Sequence, residues 1–137
     1  MKTKVFLMSL FFVFIAIMFG THGSYAEGWS KEVVDLKSNL LKSYSRGLAV
    51  DSKGNTHIVY GHNNLSHAFF VRGKWKHEVV DASAGVGQYA SVSIDNTGKM
   101  HISYYDAVSK NLKYAAGSFG SWSLETIDKN GRDEGKY

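Results

Sequence analysis

Apolar residues recur along this chain in two different rhythms. From Val5 to Gly20 they run almost unbroken (V-F-L-M-S-L-F-F-V-F-I-A-I-M-F-G). After Ala26 they alternate with small or polar residues over short stretches, the period-two pattern of strands with one buried face. No stretch beyond Ala26 holds a 3.6 period, so the pattern predicts strands and no helix there. The predicted strands are Leu48–Val50, His57–Tyr60, Leu65–Val71 and Trp75–Asp81, then Val92–Ile94, His101–Tyr105, Leu112–Ala116 and Trp122–Asp128. D-S-K-G-N (Asp51–Asn55) and D-N-T-G-K (Asp95–Lys99) read as tight turns. Asp51 and Asp95 can bond backbone two residues on, and Gly54 and Gly98 supply a positive φ.

The two sets of four strands are one pattern written twice. Trp29, Trp75 and Trp122 stand 46 and 47 residues apart. Each opens W-x-x-E-(V/T)-(V/I)-D, ending at Asp35, Asp81 and Asp128. Leu48–Tyr60 aligns with Val92–Tyr104 at an offset of 44, and N-L-S-H-A (Asn64–Ala68) aligns with N-L-K-Y-A (Asn111–Ala115) at 47. Length changes fall between motifs and not inside them, as surface connections allow. Four antiparallel strands per repeat of this length describe a β-propeller blade. The expected architecture is all-β. It has an outer strand at 29–35, a blade at 44–81, a blade at 89–128 and the start of a next blade at 129–137.

The motif string G-x-Y-x-S-(L/V)-(A/S)-(V/I)-D-x-x-G-(N/K)-x-H-I-(S/V)-Y-Y-D, then N-L-K-Y-A, then W-x-x-E-x-(V/I)-D, resembles the repeat of large secreted bacterial β-propeller proteins. It is loosely similar to NHL-type and sialidase Asp-box-type propellers. Gly87–Asp106 matches closely, whereas the first copy has one extra residue before Leu48 and Gly61-His62 in place of Tyr105-Asp106. The resemblance implies a fold and not a function, because propellers host many functions. Neither the S-x-D-x-G-x-x-W box nor an arginine triad is evident, and the only arginines are Arg46, Arg72 and Arg132.

The continuous apolar run changes the picture at the N-terminus. Lys2 and Lys4 precede it, and S-Y-A (Ser24–Ala26) follows. A basic start, an apolar centre and a small-x-small end describe a secretory signal-peptide helix over 1–26, cleaved after Ala26. The run is shorter than the roughly 20 residues of a membrane span; the alternative is an uncleaved anchor. The expected location is secreted or periplasmic, with membrane contact only through this segment. Removing it lowers the net charge from +4 to +2, which makes no case for nucleic acid. There is no Cys, so packing alone must stabilise 27–137.

The lone strand at 29–35 has no inner partner within the repeat count, and an unpaired strand edge is a liability. The expected partners are therefore further blades, supplied by additional C-terminal sequence or by self-association. The surplus strand in each copy counts against a closed ring of short chains. Some small lectins build such rings, and they are faintly similar.

Candidate sites follow from the repeat. Asp51, Asp95, Gly54, Gly98, His57, His101, Trp29, Trp75 and Trp122 recur at equivalent positions, and a repeated residue usually performs a repeated structural task. His62, His67 and His77 do not recur and read as surface. Tyr60, His62, Tyr104, Tyr105 and Asp106 lie beside connections of variable length and are candidate ligand contacts. The connections at 36–43, 61–64 and 106–110 differ most between copies. Glu32, Glu78 and Glu125 have no paired acid at fixed spacing, so no glycosidase carboxylate pair can be assigned. No nucleophile motif, phosphate loop, metal cluster or cofactor motif is present. The expectation is a non-catalytic binding or scaffold segment for a glycan or protein ligand. The alternative is a lectin-like or glycan-hydrolase-related propeller.

Overall fold

The computed structural model describes residues 32–34, 47–129, 133 and 135. The chain divides into two units, 1–32 and 33–137, and every described strand lies in the second. The expected signal-peptide helix and residues 35–46 lie outside the described residues. So does most of the expected outer strand at 29–35; Glu32, Val33 and Val34 belong to no strand.

The described chain is all-β. Strands β1 (Leu48–Val50), β2 (Thr56–Gly61), β3 (Leu65–Val71) and β4 (Lys74–Asp81) form one four-stranded antiparallel sheet in sequence order. Strands β5 (Val86–Ile94), β6 (Met100–Asp106), β7 (Asn111–Ser118) and β8 (Ser121–Thr126) form a second sheet of the same kind. Among the described residues there is no helix. Both first hairpins close on the Asp-Gly turns. Gly54 and Gly98 take φ of 81° and 84°, and their N–H groups donate to the carbonyls of Asp51 and Asp95, both at 3.0 Å.

Most strands run a residue or two beyond the sequence pattern, and two ends depart from it for a tertiary reason. β5 begins at Val86, well before Val92, and its pairing with β6 shifts register between Val86 and Gln88 and again before Ser91. The extension is held because Val86 and Ala90 are buried in the core, and core burial outweighs an irregular ladder. β8 ends at Thr126, short of Asp128. There the N–H groups of Ile127 and Asp128 both turn to the carbonyl of Leu112, which takes them off the ladder.

The register places alternate residues on opposite faces of each sheet. In the first sheet His57, Val59, Leu65, His67, Phe69 and Glu78 share one face. In the second, Met100, Ile102, Tyr104, Lys113, Ala115 and Trp122 share one face. These two faces meet. The core between them contains Val59, Leu65, Val80, Val86, Ala90, Met100, Ile102, Tyr104 and Ala115, with Val92, Ile94 and Trp122 packed on it. Fully burying a side chain the size of Leu65 or Ile102 stabilises by about 1.5–3 kcal/mol. Contact between the sheets runs through β5, which lies across β1, β2 and β3 and most of all against β2.

Candidate functional site: an acid and histidine network in each sheet

Each Asp-Gly turn aims a carboxylate at the histidine that opens the next strand. Asp51 Oδ1 accepts the N–H groups of Lys53 (2.9 Å) and Asn55 (2.8 Å), and Oδ2 accepts Asn55 Nδ2 at 2.8 Å. The Asn55 bonds, ahead of those to Lys53 and His57, hold the Asp51 carboxyl down to about 2. Asp95 Oδ1 accepts the Thr97 hydroxyl (2.6 Å) and the N–H groups of Thr97 and Lys99. The Thr97 hydroxyl, followed by His101, lowers its pKa well below the usual carboxylate range. His57 Nε2 lies 3.5 Å from Asp51 Oδ2, and His101 Nε2 lies 3.2 Å from Asp95 Oδ2.

Beyond the histidines the networks diverge. In the first sheet His57 Nδ1 meets His67 Nε2 at 3.0 Å, with the rings nearly parallel. His67 Nδ1 then reaches Glu78 Oε1 at 2.8 Å, and Glu78 Oε2 accepts the N–H of Gly120 from the second sheet at 2.7 Å. In the second sheet His101 Nδ1 meets the hydroxyl of Tyr114 at 2.5 Å. The second sheet covers the first network: His67 is 0% exposed and Trp122 stands edge-on to its ring at 5.8 Å. His101 keeps 36% of its side chain exposed.

The ring roles differ too. With His67 Nδ1–H donating to Glu78, its Nε2 accepts from His57 Nδ1–H, and the His57 Nε2 edge faces Asp51. In the second sheet Tyr114 O–H donates to His101 Nδ1 and Nε2–H donates to Asp95. Burial, opposed by Glu78, holds His67 below its ordinary pKa.

A second polar cluster closes the seam. Asp81, 2% exposed at the end of β4, accepts Tyr104 O–H (2.7 Å) and Lys113 Nζ (2.6 Å) from the second sheet on Oδ2, and Ser83 N–H on Oδ1. Burial pushes the Asp81 carboxyl up, but the bonds from Lys113, Ser83 and Tyr104 outweigh it and hold it at about 2. Burial, with Asp81 alongside, raises the Tyr104 hydroxyl well above its ordinary range.

The candidate ligand contacts are mostly inside. Tyr60, Tyr104, Tyr105 and Asp106 are buried, and only His62 is exposed. Tyr105 O–H donates to Asp133, and Asp106 Oδ1 caps the N–H groups of Val108 and Ser109 at 3.0 Å. Tyr60 O–H lies 3.3 Å from His77 Nδ1. The five do not converge on one surface: Tyr60 and His62 belong to the first sheet and its hairpin, the others to the second. Trp122 packs on the core and Trp75 against Phe70 at 5.3 Å, while Trp29 lies outside the described residues. The indole N–H groups of Trp75 and Trp122 are buried with no hydrogen-bond partner. Among the described residues no group of three or more His, Asp or Glu is placed to hold a metal ion.

His67 corrects the sequence reading, which placed it on the surface. It alternates onto the face of Val59, and that face is covered. The signal was present: the offset of 47 aligns His67 with Tyr114, a second polar ring beside the repeated histidine. Asp81 and Lys113 were also missed as a pair, since nothing in their spacing of 32 residues marks a contact. No protein-family model, curated protein or solved structure matches the chain.

Proposed function

We propose that this chain is a non-catalytic scaffold or binding segment, exported from the cell, whose two sheets are successive blades of a β-propeller. One observation carries the reading: a packing relation that occurs twice. Gly87 of β5, at φ 95°, lies so close to the first sheet that a Cβ there would sit 2.5 Å from the Asn64 carbonyl oxygen and 2.9 Å from Leu65 Cα. Gly135, at φ 101°, lies over Leu112, the repeat equivalent of Leu65. Both glycines begin G-x-Y, and both take a positive φ that favours glycine. Gly135 thus meets the second sheet where Gly87 meets the first, though more loosely. Such a relation generates a stack of like units, and a second sheet that meets the first chiefly through its first strand, β5, suits the wedge that a propeller requires. Spin labels at Leu48 and Ser93, and separately at Lys76 and Ser123, test the wedge. The second pair should be farther apart; equal separations would make this a parallel-faced sandwich and end the blade reading. Export is tested by N-terminal sequencing of the secreted product, which should start at Glu27.

One cleft favours carbohydrate as a ligand class. An open cleft of about 500 Å³ is lined by Thr97, Lys99, Ser118, Ser121, Trp122 and Ser123, together with neighbouring small residues. Hydroxyls beside an aromatic ring suit a sugar. A glycan array with the exported chain tests this: a hit abolished by Ser121→Arg supports it, and no hit removes the lectin reading.

A further inference from the structure

The cleft of the second sheet stands where the first sheet has a filled corner. In the first sheet the cross-strand pairs Phe69–Lys76 and Val71–Lys74 share one face beside the β3–β4 turn. The Phe69 ring lies nearly parallel to those of His57 and His67, at 5.7 and 5.6 Å. Lys76 Nζ lies 5.9 Å from its centre, and Phe119 meets it edge-on at 4.9 Å. In the second sheet the equivalent pairs are Ala116–Ser123 and Ser118–Ser121. His101 and Tyr114 still stack, at 6.1 Å, but the next position in line is Ala116 and not a ring. The pairing register is the same in both sheets, so the hollow is made by side chains alone. Phenylalanine, valine and two lysines have become alanine and three serines, and the cleft of about 500 Å³ lies against all four.

A further exchange supplies charge. In the first turn Asn55 Nδ2 donates to Asp51. The equivalent residue in the second turn is Lys99, and the Thr97 hydroxyl holds Asp95 instead. Position 99 thereby gives a cation to the cleft, the one charged side chain among the described residues that line it. The neighbouring Asp95 carboxylate is occupied by the Thr97 hydroxyl, the N–H groups of Thr97 and Lys99, and His101. Glu125 shares the face but pairs with Tyr114, farther along β7, and does not line the cleft.

We propose that this cleft takes an acidic sugar, a hexuronate unit of an oligosaccharide. Its ring rests on Ala116, in the place that Phe69 fills in the first sheet. Its hydroxyls meet Ser118, Ser121 and Ser123, whose side chains both donate and accept as sugar hydroxyls do. Its carboxylate points to Lys99 at the turn, away from Glu125. The inference rests on the carbohydrate reading of the cleft and not on the blade reading.

Titration calorimetry of the exported chain tests it, with galacturonate, glucuronate and mannuronate disaccharides and the neutral methyl ester of each. At least one acid should bind, and its ester about tenfold more weakly, the loss expected for one charge-assisted hydrogen bond. Lys99→Gln should bring acid and ester to the same affinity, and added salt should weaken only the acid. Ala116→Phe writes the first sheet's ring into the cleft and should abolish binding, with the thermal midpoint showing that the sheet still folds. Equal affinity for acid and ester, or a difference that survives in Lys99→Gln, would overturn the acidic-sugar assignment and leave the carbohydrate reading standing. Binding that persists in a folded Ala116→Phe would overturn the assignment by placing the sugar elsewhere. If none of the acids binds, the inference fails, and the neutral glycans of the array then decide the carbohydrate reading separately.

Discussion

His67 and Tyr114 occupy the same place in two sheets of the same register, and they solve the same problem differently. Each sits one strand over from a repeated histidine that faces a turn aspartate. Tyr114 ends the network at a hydroxyl. His67 carries it on from Asp51 and His57 to a second carboxylate, Glu78. The difference follows cover. Under the second sheet, the His67–Glu78 link lets Glu78 hold the Gly120 N–H, so the first network belongs to the joint between sheets. The second network joins nothing described beyond its own sheet. The repeat therefore conserves a local device, a turn anchored to a histidine, and varies what that device is attached to.

The seam should be where the comparison breaks most visibly. Asp81 alone receives both Tyr104 and Lys113 across the sheets. Asp81→Ala leaves the Lys113 ammonium and the Tyr104 hydroxyl without their buried acceptor, and removing one partner of a buried pair costs about 3–5 kcal/mol. Urea unfolding should read that loss as a lower midpoint. A change below about 1 kcal/mol would show that the ion pair is screened and that the apolar contacts alone hold the sheets.

Next in size are the two glycines. In Gly87→Ala the new methyl meets backbone, the Asn64 oxygen at 2.5 Å, and the positive φ adds strain. Together these should cost about 3 kcal/mol. In Gly135→Ala the nearest atom is the Leu112 Cδ1 at 3.2 Å, the end of a side chain that can move, and only the φ strain of about 1 kcal/mol remains. Equal effects in thermal unfolding would mean that the second contact is as tightly set as the first.

Much of this fold was legible in the sequence, because alternation and the repeat report on local structure. The eight strands, both Asp-Gly turns and the all-β class follow from residues that neighbours in sequence constrain. What was not legible depends on which face each sheet buries. Period two says that His57, Val59 and Phe69 lie together, but not that another sheet will lie on them. For that reason His67 read as surface, and the tyrosines at 60, 104 and 105 read as available to a ligand. The ends of β5 and β8 were missed for the same cause: core burial and the Leu112 carbonyl, both tertiary, set them.

Acid should separate the two networks. His67 is faced by His57 and Glu78 from its own sheet, with Asp51 and Lys76 nearby, and by Trp122, Phe119 and the Gly120 amide from the other. Burial opposes a second ring proton on His67, and at Nε2 it would also meet the His57 Nδ1–H. Its folded pKa is lowered, so the unfolded chain binds the proton first, and stability is lost as pH falls below about 6.5. Asp81, held at about 2, contributes stability that persists above the ordinary carboxylate pKa and is lost between about 4 and 2. Two descending steps in stability against pH are expected, and His67→Gln should erase the first and keep the second. If both steps survive in His67→Gln, the upper one belongs to another group.

The smallest effect tests whether cover, and not the His–His pair itself, is what costs. Tyr114→His writes the first sheet's pair into the second. His101 would then face a second imidazole as His57 does, but with its own ring partly open to water. Tyr114 is half-buried and bonded to His101, so at neutral pH the change should cost at most about 1 kcal/mol, the worth of one hydrogen bond. It should also create no new acid step, since His101 stays partly open to water. If the variant instead acquires a step near that of His67, the pairing of the rings is the cause, and the burial of His67 beneath Trp122 is incidental.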